Sequence, residues 1–389
     1  MLIRRNPKRW RLRPVSRAAA LAGAVLVACA CATFARIVAY GVSDVDDHRL
    51  FAGRVLHASS EPRALCDRAD ERLVPGDLPV PGGAPEPLDA FVADHGTIAF
   101  LVLRGDDLLA ERYFGDFRRD SLVQVFSVSK SVTSLLVGAA IRDGVLKGLD
   151  QPVTDWVPEL APAGFGAVTL GHLLQMTSGL DYAENDNPFG THPALYYGTD
   201  LEPRLMGFTL AEPPGTRWRY KSGETQLVGL VLSRALAPRT LTDYAQQVLW
   251  EPLGMEYDGF WATDHEGGLE KTFCCLSMRA RDLARVGAMV RDDGRVDGRQ
   301  VIPTDWVRAS RTPDTSDGGS PTYRLGWWLL PQLEGGLMGV GHLGQYLIVL
   351  PRYDLVVVRL GLEGGEELRD RYAALAVALG KTLEGVMRP

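Results

Sequence analysis

Phe126-Ser127-Val128-Ser129-Lys130-Ser131 opens a long apolar segment, Val132 to Ile141, that carries no Gly or Pro until Gly138 and stops near Gly144. That pattern predicts a buried helix with Ser127 in its first turn. Residues three apart on a helix share a face, so Ser127 and Lys130 are expected side by side. The helix N–H groups near the serine favour a negative charge developing there. A lysine becomes a useful base only when burial or a neighbouring cation lowers its pKa; Val125, Phe126, Val128 and Val132 supply an apolar setting. Alone, the same spacing also suits a capping serine and an exposed lysine. The rest of the chain has to decide.

Working outward, the flanks read as strands. Leu88 to about His95 predicts a short helix, followed by strands Thr97–Leu103 and Leu108–Phe114 joined at Arg104-Gly105-Asp106-Asp107, a hairpin. Near the other end, Gln345–Leu350 and Leu355–Leu360 flank the turn-like Pro351-Arg352-Tyr353-Asp354 and form a second hairpin. Glu366 to Met387 follows as a helix, with Leu368, Tyr372, Leu375, Leu379 and Leu383 on one stripe. Between the two ends, helices fit Leu170–Met176, Thr225–Ala235, Leu241–Trp250 and Ala280–Arg291. The expected architecture is mixed α/β (α+β): one antiparallel sheet built from both chain ends, flanked by helices and carrying a mostly helical insertion. A cleft between sheet and insertion is the natural active-site position.

The 389 residues, 46% hydrophobic and 23% charged, have the composition of an ordinary globular protein. A net charge of −6 gives no electrostatic footprint for nucleic acid. Up to Val42, however, there are eight basic residues and no acidic one. Removing those eight from 42 Lys and Arg leaves 34 against 48 Asp and Glu, a net −14 for the remainder. The apolar run Ala18–Ala35, extended past Arg36 by Ile37–Val42, then reads as an export segment that places the body outside the cytoplasm. A membrane anchor extended by snorkelling of Arg36, a lipoprotein box ending at Cys29, and a cleaved signal peptide all fit. Residues 1–43 are thus a basic head and membrane anchor or signal segment, 44–87 a Pro/Gly-rich tether and entry segment, and 88–389 the catalytic domain. Of the five cysteines, a bridge from Cys66 to Cys274 or Cys275 is compatible with an oxidising compartment, as are buried thiols. No CxxC or HExxH pattern occurs, His48, His57, His95, His172, His192 and His265 are scattered, and neither metal nor cofactor is expected.

Two further stretches give the Ser-Lys pair its meaning. Trp218-Arg219-Tyr220-Lys221-Ser222-Gly223 precedes a helix, and Tyr220 is a phenol able to relay protons if cations lower its pKa. Gly341-His342-Leu343-Gly344-Gln345 leads into a strand; its glycines allow close backbone approach and the strand edge offers N–H donors. Ordered Ser-Lys, Tyr and Gly-rich strand start match one catalytic plan. The GxGxxG spelled by Gly339 to Gly344 is rejected as a dinucleotide site, because no βαβ unit surrounds it. GxSxG is absent, against an α/β-hydrolase. Trp250, Trp261, Trp327 and Trp328 are expected in the core rather than in a pocket.

Over Leu88 to Gly380 the chain resembles the serine β-lactamase and penicillin-binding-protein superfamily, in the branch of class C enzymes, D-alanyl peptidases, family VIII esterases and 6-aminohexanoate-dimer hydrolases. The motifs are Phe126-Ser-Val-Ser-Lys130, Leu173-Leu-Gln-Met-Thr-Ser-Gly179, Tyr220-Lys-Ser222, Phe273-Cys-Cys-Leu276 with Arg281-Asp-Leu-Ala284, and His342-Leu-Gly344. Phe273 to Val290, with Asp293-Gly294 and Ile302-Pro303, looks most like the dimer-hydrolase group. The resemblance implies Ser127 as acylated nucleophile, Lys130 as its proton acceptor, and Tyr220 as donor to the leaving group and later activator of water. It implies the Ser127 and Gln345 N–H groups as oxyanion hole, with Ser222, His342 and Gly344 on the substrate. Asp181 and Tyr182 are candidates for a substrate amine. Ser222 stands where many members have Asn, and His342 where lactamases and peptidases usually have the Lys that binds a substrate carboxylate. Esters or small uncharged amides are therefore expected ahead of β-lactams or D-alanyl peptides. A non-catalytic binding protein of the same fold is the rival reading, disfavoured by the presence of all three catalytic residues.

Overall fold

The computed structural model describes residues 32–69, 73–84, 86–185 and 187–386. Its centre is an eight-stranded sheet. In chain order the strands are β1 (Cys66–Asp67), β2 (Thr97–Arg104), β3 (Asp107–Tyr113), β4 (Tyr323–Arg324), β5 (Trp327–Trp328), β6 (Leu337–Gly341), β7 (Gln345–Leu350) and β8 (Leu355–Gly361). They pair as β4-β5-β6-β7-β8-β2-β3-β1, antiparallel except where β1 runs parallel to β3. The expected joining of the chain ends is made by β8 on β2, in register from Leu355 opposite Arg104.

The central strands read as unbroken apolar runs because both faces are covered. Alternate residues divide them: Leu101, Leu103, Leu347, Val349, Val356 and Val358 join one core cluster. Phe100, Val102, Ile348, Leu355 and Val357 join the other. The first face receives α1 (Val128–Arg142) and α3 (Ala280–Arg291); the second receives the Leu88–Ala93 helix and α4 (Glu366–Val386). Gly287 lets α3 lie directly on Val356 and Leu347, since a Cβ there would meet both side chains. The insertion is mainly helical, and its α2 (Ser222–Leu236) packs on α1. It also holds helices without clear sequence signals, at Thr191–Tyr197 and Leu201–Met206.

Three sequence expectations change. The stretch 44–87 is more than a tether: Gly53–Leu56 pairs with Gly259–Ala262 in a second, four-stranded sheet, and Val45, Phe51 and Leu56 enter the core. Strands this short are recognised by their backbone pairing, which leaves little trace in sequence. Cys274 and Cys275 form a disulfide with each other, whereas Cys66 is exposed on β1. The head, through Cys31 and including Cys29, lies outside the described residues, but 32–40 is a helix docked on the body. Its Arg36 does not extend away from the protein; Nε donates to Tyr197 O at 3.1 Å and Nη2 to Leu50 O at 3.1 Å. No helix among the described residues is long and apolar enough to cross a membrane.

Candidate active site

The chain enters α1 from the Val123–Gln124 strand through Phe126, whose φ of +45° is unusual for a bulky residue. This bend sets Ser127 at the helix N-cap, where its side chain makes no capping bond. The hydroxyl instead accepts a hydrogen bond from Lys130 Nζ at 2.7 Å, and the same amine donates to Phe273 O at 2.9 Å. Lys130 is only 1% exposed. Burial pushes its pKa down to about 8, against an upward pull from Glu184. The other two serines of the motif are tied into packing, Ser129 accepting from Leu276 N at 3.2 Å and Ser131 donating to Gly326 O at 2.7 Å.

Tyr220 lies against this pair. Its ring centroid is 4.8 Å from Lys130 Nζ, and it lines the same cavity as Ser127. The sequence left open a phenol acidified by cations. The structure gives the opposite: burial of the hydroxyl, and next the Glu184 charge, push it well above the ordinary tyrosine range. Tyr220 is therefore a neutral proton donor at working pH. Trp328 and Tyr323 hold its ring, at centroid distances of 5.6 and 5.9 Å. Of the four tryptophans expected in the core, Trp250, Trp261 and Trp327 are there, while Trp328 faces the site.

Across from Ser127, β6 and β7 are joined by His342-Leu343-Gly344, with Gly341 paired to Gln345. This antiparallel hairpin is what the rejected GxGxxG string encodes. Leu343 and Gly344 both adopt positive φ, 57° and 78°. The Gln345 side chain is fully buried, bonded to His342 O at 3.1 Å and Gly361 O at 2.7 Å. Sequence reasoning missed the brace beneath this turn. Arg359, fully buried in β8, donates from Nη1 to the carbonyls of Leu343, Gly344 and Glu363 at 3.1, 2.7 and 2.7 Å. The signal was available, as Arg359 is the lone charge in Leu355-Val-Val-Val-Arg-Leu-Gly361.

Two cavities meet at Ser127 and His342. One, of about 510 Å³, runs past Tyr220, Trp328 and Gly344 to Arg369. The other, of about 560 Å³, is bounded by Phe126, Phe273, Glu184 and His192. Glu184 and His192 were not singled out as site residues in the sequence; no spacing links them to Ser127, and only the fold does, which brings Glu184 and the Thr191–Tyr197 helix carrying His192 to the cavity. Ser222, expected on the substrate, is fully buried and lines neither cavity. It holds Glu184 instead, with Oγ to Oε1 at 2.5 Å and N to Oε2 at 2.6 Å. Tyr182 sits under α2 against Gly223, its hydroxyl 2.9 Å from His192 Nδ1, and it lines neither cavity itself. Asp181 is displaced from both cavities, its backbone N bonded to Thr209 O and its side chain at a separate surface depression. Consecutive residues in extended chain point to opposite sides, which separates Asp181 from Tyr182. Among the described residues no group of His, Cys, Asp and Glu could hold a metal ion.

The arrangement provides a nucleophile, a base that is part neutral near pH 7 and a neutral acid around one point. A family model described as Beta-lactamase matches residues 88–380. The chain is 32% identical over 295 residues to the 6-aminohexanoate-dimer hydrolase of Paenarthrobacter ureafaciens, covering 70% of this chain and 74% of that protein. It is 34% identical over 192 residues to esterase EstB of Burkholderia gladioli, 46% of this chain and 47% of the esterase. Among solved structures, one from Bacillus anthracis of the 6-aminohexanoate-dimer hydrolase type superposes with TM-score 0.76 at 20% identity, over 88% of this chain and 94% of the other. At that identity the likeness speaks for the fold alone.

Proposed function

The chain belongs to the beta-lactamase family and is a serine hydrolase of that type; from that premise we propose that it cleaves ester or small amide bonds through a Ser127 acyl-enzyme. The observation that carries this reading is the buried Lys130 amine, 2.7 Å from Ser127 Oγ with its pKa pushed down to about 8. In the proposed sequence Ser127 Oγ bonds to the substrate carbonyl carbon as its proton passes to neutral Lys130. The carbonyl oxygen becomes an oxyanion held by the Ser127 and Gln345 N–H groups, each such donor contributing about 10² to 10³ in rate. Collapse breaks the bond to the leaving alcohol or amine, which takes the Tyr220 proton while Lys130 returns one to Tyr220. Water then attacks the acyl carbonyl and gives up a proton to Lys130 by way of Tyr220; the bond from the acyl carbon to Ser127 Oγ breaks, Oγ takes that proton back, and the carboxylic acid leaves.

The proposal extends to location: an exported enzyme tethered to a membrane by its N-terminal segment, testable by fractionating cells with and without detergent. The chemistry is tested by intact-mass measurement of the protein treated with a fluorophosphonate, beside Ser127→Ala. A single adduct confined to the unsubstituted protein is expected. Adduct on both, or on neither well-folded protein, sinks the mechanism. A second reading, a D-alanyl peptidase or β-lactamase, is favoured by Arg369, which lines the cavity beside Ser127 and offers a guanidinium for a substrate carboxylate. Stable acylation by penicillin would select it; ester turnover with no β-lactam reaction would discard it.

A further inference from the structure

We infer that residues 37–43, the tail of the segment read in sequence as a membrane anchor or signal, form the wall of the catalytic cavity that receives the acyl part of the substrate and set its size. This rests on the acyl-enzyme reading above and goes beyond it by assigning a side of the site and a class of acyl group.

Four hydrogen bonds fasten the segment to the insertion and to the chain that follows it. Besides the two from Arg36, Arg204 Nη2 donates to Thr33 Oγ1 at 2.9 Å and Tyr197 Oη to Gly41 O at 2.9 Å. Ile37 points inward, 9% exposed, into the main core. The helix stops at Gly41, whose φ of +66° turns the chain. Ile37, Gly41, Val42 and Ser43 then line the cavity of about 560 Å³ that Ser127 and Phe126 border from below. That volume falls within the range that encloses a small ligand, about 300 to 1,000 Å³.

The two cavities at Ser127 differ in what borders them. Tyr220, the leaving-group acid of the proposed reaction, borders the one that runs to Arg369 and not the one walled by 37–43. The leaving group belongs on the Tyr220 side, which assigns the acyl chain to the other. There Ile37, Val42, Phe126 and Phe273 present apolar surface. The fitting substrate is an ester or amide with an apolar acyl chain of several carbons. Each methylene buried against that wall can raise kcat/KM by up to roughly fourfold.

The test uses the full-length protein and p-nitrophenyl acetate, butyrate and octanoate, with Ile37→Trp, Val42→Trp and Val38→Ala. Val42 is 83% exposed, so its substitution leaves the core intact, and Val38 is 66% exposed on the preceding helix and lines neither cavity. The octanoate-to-acetate ratio of kcat/KM is expected to fall at least tenfold in both Trp variants and to stay at the wild-type value in Val38→Ala. An unchanged ratio in folded Val42→Trp, with turnover still abolished by Ser127→Ala, overturns this assignment and leaves the acyl-enzyme standing. Turnover that survives Ser127→Ala overturns both.

Discussion

At the scale of single residues, the site depends on where three protons sit. Lys130 must be neutral to accept from Ser127, and burial brings its pKa down to about 8. Because the working form is the deprotonated one, activity should rise with pH. We expect kcat/KM for an uncharged ester to climb roughly tenfold per unit below that value and to level off above it. A profile flat from pH 6 to 9 would contradict Lys130 as the base. Lys130→Ala should lower kcat/KM by about 10² to 10⁴. Tyr220 is held neutral, which suits the donation to the leaving group proposed above. Tyr220→Phe should then reduce ester or amide kcat by about 10² while leaving the fluorophosphonate adduct intact, since fluoride departs without a proton. Loss of both together would mean that Tyr220 also activates Ser127. Ser127 and Lys130 were legible because i and i+3 on a helix must meet. Glu184 was not, because its influence on Lys130 and Tyr220 passes through a loop fold that no local pattern encodes.

Among the elements, the turn between β6 and β7 carries the strictest demands. A Cβ on Gly344 would strike the Arg359 guanidinium and the Glu363 carbonyl, and its φ of +78° disfavours any other residue. Gly344→Ala should cost about 1–2 kcal/mol from the left-handed backbone alone, with further loss as Arg359 is displaced. Chemical denaturation and kcat read on one preparation would show both falls; wild-type stability would mean that the turn relaxes freely. Arg359→Met should be worse, as it strands four carbonyls, those of Leu343, Gly344, Glu363 and His95, each worth about 1–3 kcal/mol when buried and unsatisfied. Arg359→Lys should restore little, because one ammonium cannot reproduce the planar fork. The sequence marked this turn by its glycines and strand by its apolar run. It did not show that the one arginine in that strand is what fixes the turn.

For the whole molecule, the sheet is the shared wall of two cores, so damage on either face should be felt globally. Gly287→Val would drive a side chain from α3 into Val356 and Leu347, and overpacking of this kind costs about 1–3 kcal/mol. The melting temperature should drop while kcat per folded molecule holds, since Gly287 lines neither cavity at Ser127; a selective loss of kcat would show the α3 face and the site to be coupled. The sequence by itself determined the sheet drawn from both ends, the helical insertion and the Ser127, Lys130, Tyr220 and His342–Gly344 elements. The strands and helices are written locally, in apolar runs and a period near 3.6, and the turn in its glycines, whereas the grouping of Tyr220 with Ser127 and Lys130 came from the resemblance to a known family. Only the tertiary structure decided which charges surround those residues, that Ser222 and Tyr182 support Glu184 and His192 rather than the substrate, and that residues 37–43 close over the cavity. Those are contacts between segments far apart in the chain, and they follow from packing geometry rather than from any spacing along it.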